Sequence, residues 1–214
     1  MHNNISKNIT QIEQERGNTQ LVVVSKYRSL EELNEVYATG HRNFGENRVQ
    51  ELVDKYTQLP KDINWHVIGH LQTNKVKYIA SFVHLIHSID SLKLLKEVNK
   101  QAKKCDRVIP FLFQMHIADE ETKFGLNKDE LLAILESPVY QEMANVKCKG
   151  LMGMATNTDD EKQVAEEFQS LYTLFEKHKT GLGWDTLSMG MSGDYLLAVA
   201  NGSTLIRVGS KIFN

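Results

Sequence analysis

The sequence predicts an α/β protein, a (β/α)8 barrel with one extra helix in front. Three observations carry that expectation. Short apolar, largely β-branched runs alternate with helical patterns about eight times along the chain. Those runs are apolar on both faces, the usual state of strands in a parallel sheet covered by helices. None reads as a polar edge strand, which favours closure into a barrel over the alternative, an open doubly wound sheet. No repeat, low-complexity tract or linker divides residues 1–214, so one domain is expected.

In order, Ile5, Ile9 and Ile12 give residues 5–16 a narrow apolar helical stripe, closed by Gly17-Asn18. Gln20-Leu21-Val22-Val23-Val24-Ser25-Lys26-Tyr27 is the first strand, and it stops at a lysine. Ser29, with Glu32 three residues on, opens a helix that ends near Gly40. Residues 43–45 form a short second strand, followed by a helix carrying Val49, Leu52, Val53 and Tyr56. Residues 64–69 are a third strand, and Val76, Ile79 and Ala80 mark the helix after it. Residues 83–90 are a fourth strand, and the next helix ends in Lys100, Lys103 and Lys104, as its dipole prefers. Residues 108–115 are a fifth strand, with Pro110 near its start, and 116–125 form a longer polar loop. A helix at 129–135, a strand at 147–154 and an amphipathic helix at 160–178 follow. Strands at 186–190 and 204–209 flank a short helix at 193–200.

Composition excludes several classes. With 214 residues, 41% of them hydrophobic, the chain can bury one sizeable core. A net charge of −2 and a pI near 6.5 give no bias toward nucleic acid or anionic membrane. No apolar run approaches the roughly 20 residues a membrane span needs. The first residues lack the apolar core of a signal peptide, and Cys105 and Cys148 stand apart, so reduced cysteines in a cytoplasmic monomer are expected.

In a barrel the carboxyl ends of the strands ring one mouth, where ligands bind. Here they bring Lys26, Glu46, Asn47, His66, Ser88, Met115, His116, Met152 and the segments 188–192 and 207–210 together. Lys26 reads either as a solvated stop or as an amine held near apolar walls, ready to form a Schiff base with a carbonyl. Ser188-Met189-Gly190-Met191-Ser192-Gly193 and Val208-Gly209-Ser210 are small-residue turns that can present free N–H groups to phosphate, or can simply cap a helix and turn the chain. Arg207 interrupts an apolar strand; inside the barrel it needs acceptors or a ligand, outside it needs a carboxylate on a covering helix. His66 and His70 lack a third ligand spaced for zinc, and His84 and His87 are expected on opposite strand faces. No nucleophile elbow, P-loop or dinucleotide fingerprint is present. An amine, a phosphate cradle and an arginine beside it suit an aldehyde carrying a phosphate, and pyridoxal 5′-phosphate fits.

Val23-Val24-Ser25-Lys26, Phe44-Gly45-Glu46-Asn47, the segment 65–75 (Trp65 through Lys75), Ser88-Ile89-Asp90, Gly150-Leu151-Met152, Ser188-Met189-Gly190-Met191-Ser192 and Arg207-Val208-Gly209 closely resemble the pyridoxal phosphate homeostasis protein family. These are single-domain relatives of the alanine racemase barrel, and the resemblance spans nearly the whole chain. It implies a fold-type III barrel with Lys26 as the Schiff-base lysine. It implies phosphate contacts at Ser192, Gly209 and Ser210, Arg207 at the pyridine nitrogen, and Asn47, His66 and Met152 at pocket positions. It further implies a protein that binds, buffers and hands on the cofactor, with apo enzymes as recipients and no demonstrated catalytic reaction. Ser210 stands where the family often has threonine, and Tyr27 where a small polar residue is commoner. Residues 114–125 are less familiar, although Lys123 and Gly125 fit a Lys-x-Gly signature. An arginine that keeps its proton makes the ring a weaker electron sink than an aspartate would, and no second base is expected before the chain ends at Asn214. Little turnover is therefore expected. The alternatives are a racemase or lyase using the same site, and a cofactor-free aldolase acting on a phosphorylated sugar.

Overall fold

A computed structural model of the chain describes residues 5–120 and 124–214. Among these residues eight parallel strands pair in sequence order and close into a barrel. They are β1 Gln20–Val24, β2 Asn43–Glu46, β3 Asn64–Val67, β4 Leu85–Ile89, β5 Ile109–Met115, β6 Val146–Gly153, β7 Thr186–Ser188 and β8 Leu205–Val208. The ring closes where Val22 of β1 lies beside Arg207 of β8. The open sheet is thereby excluded.

The helices form where capping and periodicity place them. α1 (Ile5–Glu15) buries Ile5, Ile9 and Ile12. α2 (Leu30–Ala38) begins in a capping box between Ser29 and Glu32. α3 (Val49–Gln58) follows β2, and α4 (Leu92–Lys104) is capped by the Ser91 hydroxyl and ends in Lys103 and Lys104. α5 (Lys128–Glu136) has a second capping box, formed by Asn127 and Glu130. α7 (Glu161–Leu182) stops at Gly183, whose φ of 65° only glycine takes readily, and α8 (Tyr195–Ala200) follows β7.

Three features differ from expectation. The segment after β3 is a 3₁₀ helix, Thr73–Tyr78, because Val76 alone of its residues is buried and a full apolar stripe is missing. A one-turn helix, α6 (Pro138–Gln141), starts on a proline at its first position, and another, α9 (Ser210–Phe213), follows β8. Both are too short for periodicity to reveal. In the loop after β5, Leu126 bridges Met115 and its N–H donates to the Gln114 carbonyl (2.8 Å). Lys123 of the expected Lys-x-Gly signature lies outside the described residues.

The apolar interior has two compartments. A large one lies between the sheet and the helices, built on Phe44, Trp65, Phe111, Leu151, Leu187 and Ile206. A small one lies inside the barrel, where Val22, Leu85, Leu112, Met152 and Leu205 meet. α1 packs on α2 and α9, and the Asn8 side chain donates to the Ile212 carbonyl (2.9 Å), clasping the seam between β1 and β8. Among the described residues no helix is long and apolar enough to cross a membrane. Cys105 and Cys148 are unpaired, and burial pushes the Cys148 thiol up to about 12.

Gly150 sits where the β5–β6 register shifts, at φ 143°, and a Cβ there would come 2.0 Å from the Thr186 carbonyl oxygen. Gly150→Ala should therefore destabilise the barrel by about 2–5 kcal/mol. Gly181→Ala, in open space on α7, should stabilise by up to about 1 kcal/mol. Urea denaturation of both variants checks the pair.

Candidate functional site

A cavity of about 380 Å³ opens at the carboxyl end of the barrel. Such a volume lies within the usual range for small-molecule sites. Lys26 comes to its wall from the end of β1, Ser192 from the turn after β7, Gly209 and Ser210 from the turn after β8, and Arg207 from within β8. Val24 and Met191 supply apolar wall. Closure explains the meeting, since β1 and β8 are neighbours in the ring. Gly209 packs against β1, and a Cβ there would lie 3.0 Å from the Val24 Cβ. The Gly209 N–H donates to Ser192 Oγ (3.1 Å), tying the two small-residue turns together.

Lys26 is exposed to solvent, and the apolar wall of Val24 and Met191 lies beside it in the same lining. Its strand is held from below. Ser25, fully buried, donates from its hydroxyl to Glu46 Oε2 (2.8 Å), and the Ser25 carbonyl accepts from Lys55 Nζ (2.7 Å). Lys55, reaching in from α3, also pairs with Glu46 Oε2 at 2.7 Å, while the Asn47 N–H donates to Glu46 Oε1 (3.0 Å). Glu46 therefore faces the layer under α3 and not the mouth. Tyr27, next in the chain, takes a left-handed φ of 61°, is 73% exposed and lies under the Arg48 guanidinium.

Arg207 points into the barrel, on the same strand face as Leu205. It is 3% exposed; its Nη1 donates to Ser188 Oγ (2.6 Å) and its Nη2 to the Gly153 carbonyl (3.1 Å). Among the described residues it pairs with no carboxylate. Burial pushes the guanidinium down to about 10, with Asp194 opposing the shift. It remains cationic at neutral pH.

Below it the interior is polar. His87 Nδ1 lies 2.9 Å from Ser188 Oγ, and His87 Nε2 lies 2.9 Å from His66 Nδ1. Burial pushes His66 down to about 3 and His87 well below the ordinary imidazole range. His66 was expected at the mouth. It lines instead a cavity of about 400 Å³ at the amino end of the barrel, together with His84, Lys149 and Asp185. The stagger of the ring is the reason, because His66 is level with Leu85, the first residue of β4. Met152 is wholly buried in the inner apolar cluster, beneath the cavity wall. Asn47, in the turn after β2, packs on Gly69 beside the mouth and is not part of that wall. His84 and His87 do not point apart: both rings lie 5.2 Å from that of His66. His84 precedes β4, so strand alternation does not govern it. Among the described residues no group of three or more His, Cys, Asp or Glu is placed to hold a metal ion.

Fold and site together define a closed (β/α)8 barrel whose mouth sets a strand-one lysine against two linked small-residue turns and a buried arginine. The family model described as the alanine racemase N-terminal domain matches residues 2–214. A protein from Pasteurella multocida named pyridoxal phosphate homeostasis protein is 33% identical over 98% of this chain and 92% of its own length. A protein of the same name from Helicobacter pylori is 39% identical over 90% of this chain and 86% of its own. The structure of PipY from Synechococcus elongatus with PLP bound superposes with a TM-score of 0.88 at 32% identity, covering 98% of this chain and all of that one. Alanine racemase from Bartonella henselae shares the fold, with a TM-score of 0.75 at 18% identity over 96% of this chain and 56% of its own. The chain belongs to the pyridoxal phosphate homeostasis proteins, a family built on the alanine racemase N-terminal barrel.

Two predictions follow from this geometry. His66 and His87 stay neutral when folded but take up protons when unfolded, so their contribution is complete above the ordinary imidazole range and falls as pH drops below it. His66 alone should remove about 1.4 kcal/mol of unfolding free energy per pH unit below about 6.5, and urea titrations from neutral to mildly acidic pH should show a shallower slope for His66→Gln. Lys55→Met strands the buried Glu46 carboxylate and should lose about 3–5 kcal/mol, most of which the double variant with Glu46→Gln recovers; equilibrium denaturation checks both.

Proposed function

We propose that this chain binds pyridoxal 5′-phosphate at the carboxyl mouth of its barrel and serves as a carrier in the handling of that cofactor, without robust turnover. The convergence of Lys26, Arg207 and the turns at Ser192 and Gly209 on one cavity supports this reading. The residues fit the group. Ser192 and Ser210 offer hydroxyls, and the turns offer backbone N–H groups to an anion. Arg207 has five N–H donors, and the bonds to Ser188 and Gly153 leave others for a ring nitrogen. Lys26 stands in the same wall with its amine accessible. Bound there, the cofactor would supply an aldehyde, the electrophile that a Schiff-base lysine needs, with Lys26 as that lysine, and a conjugated ring that withdraws electrons.

The chain's own contribution is then to hold and orient. Arg207 donates a hydrogen bond yet keeps its proton at neutral pH, so it does not strengthen the ring as an acid partner would. The two tied turns fix the anion end, and the Glu46–Lys55 pair fixes the backbone that carries Lys26. In this reading residues 1–214 act as one monomeric, cytoplasmic domain, and the cofactor passes to apo enzymes that use it. Asn47, His66 and Met152 support the site from beside and below.

Absorbance spectroscopy tests the proposal. Pyridoxal phosphate should give a visible band that borohydride fixes on Lys26, located by peptide mass. Lys26→Ala should lose that reducible adduct, and an adduct that persists would overturn the assignment. Ser192→Ala combined with Ser210→Ala should weaken binding about tenfold or more. Robust turnover of any member of a panel of L- and D-amino acids would overturn the carrier reading in favour of an enzyme.

A further inference from the structure

A line of polar side chains runs through the barrel from the site toward its opposite end. Arg207 Nη1 meets Ser188 Oγ at 2.6 Å, Ser188 Oγ meets His87 Nδ1 at 2.9 Å, and His87 Nε2 meets His66 Nδ1 at 2.9 Å. His66 Nε2 in turn faces Asn43 Oδ1 at 3.5 Å, and that oxygen also accepts from Asn64 Nδ2 at 3.1 Å. Ser188 and His87 are fully buried, so the two middle members have no bulk water to turn to, while Arg207 (3% exposed) and His66 (1% exposed) each border a cavity at one end of the line.

Hydrogen-bond bookkeeping gives the line a direction. A guanidinium is only a donor, so the Ser188 oxygen accepts from it. That oxygen could accept a second bond, but among the described residues the Ser188 hydroxyl proton has one acceptor in reach, His87 Nδ1, which is therefore bare. A neutral imidazole carries one proton, so that of His87 is on Nε2 and goes to His66 Nδ1. His66 therefore also carries its proton on Nε2, facing the Asn43 oxygen. Each link satisfies the next, from a group that can only donate to an oxygen that only accepts.

We propose that His87, acting through Ser188, is a positioning residue for Arg207: the one-way line turns the Ser188 lone pair toward the guanidinium and holds its free N–H groups toward the ring position of the bound ligand. This deepens the function proposed above and rests on it. A reversed or protonated His87 would aim an N–H at Ser188, whose hydroxyl proton would then compete with Arg207 for the same narrow space. The Ser188 oxygen would then be shared between two donors with its own proton left without an acceptor, and its aim on the guanidinium would loosen.

The first test needs no ligand and no substitution. Side-chain ¹⁵N–¹H spectra of the ligand-free protein should show His66 and His87 neutral, both protonated on Nε2, between pH 6 and 8. A proton on His87 Nδ1 would overturn the proposal. The second test uses two probes, pyridoxine 5′-phosphate, which keeps the ring nitrogen and phosphate but lacks the aldehyde, and inorganic phosphate. His87→Leu and Ser188→Ala should each weaken pyridoxine phosphate about tenfold and leave inorganic phosphate within about twofold. His87→Asn, whose Oδ1 can accept in place of Nδ1, should restore much of the ring-dependent loss. Equal weakening of both probes would reduce His87 to a structural role, and unchanged pyridoxine phosphate binding in both variants would remove it altogether. Failure of the unaltered protein to bind pyridoxine phosphate would refute the proposed function, while the spectra would still decide the direction of the line.

Discussion

A permanent positive charge inside the barrel sets the terms for everything around it. Among the described residues Arg207 pairs with no carboxylate, and an ion buried without compensation is costly. The interior answers with neutral acceptors, the Ser188 hydroxyl and the Gly153 carbonyl, both fixed by the sheet. It also keeps further positive charge out, because burial holds His66 and His87 uncharged. The apolar residues Val22, Leu112, Met152 and Leu205 fill the remaining space, so the guanidinium has one place to be and one direction in which its spare donors can act.

The layer outside the strands solves a related problem differently. Glu46 and Lys55 are both buried, and each is matched: the carboxylate by the ammonium, the Ser25 hydroxyl and the Asn47 N–H, the ammonium by the Ser25 carbonyl. Such a pair contributes little net stability compared with well-packed apolar groups, yet removing one partner is severe. Its value here is geometric. It joins α3, the end of β2 and the residue before Lys26 at one point, so the exposed amine stands on a backbone that does not share its freedom.

Much of this was legible in the sequence. The apolar runs located the strands because parallel strands are buried on both faces, and Ser29 with Glu32, and Gly40, mark helix ends for local reasons. Lys26, Ser192, Arg207, Gly209 and Ser210 could be gathered at one mouth because a barrel sends every strand end to the same side. Depth was not legible. His66 and Leu85 share a level through the stagger of neighbouring strands, a property of the closed ring that no periodicity records. The side on which Glu46 falls was hidden for a similar reason: residues 43–46 are too few, and interrupted by glycine, to show alternation. A Lys on the buried face of α3 was the available hint, since such a residue needs a partner.

The place where the ring closes has a temporal consequence. Lys26 follows the first strand and Ser210 follows the last, so the two walls of the cavity are separated by nearly the whole of the barrel-forming chain. During synthesis the lysine emerges early and has no facing wall until β8 docks beside β1. A cavity with two facing walls is thus a property of the completed ring, and a half-made barrel carries the Lys26 amine with nothing opposite it.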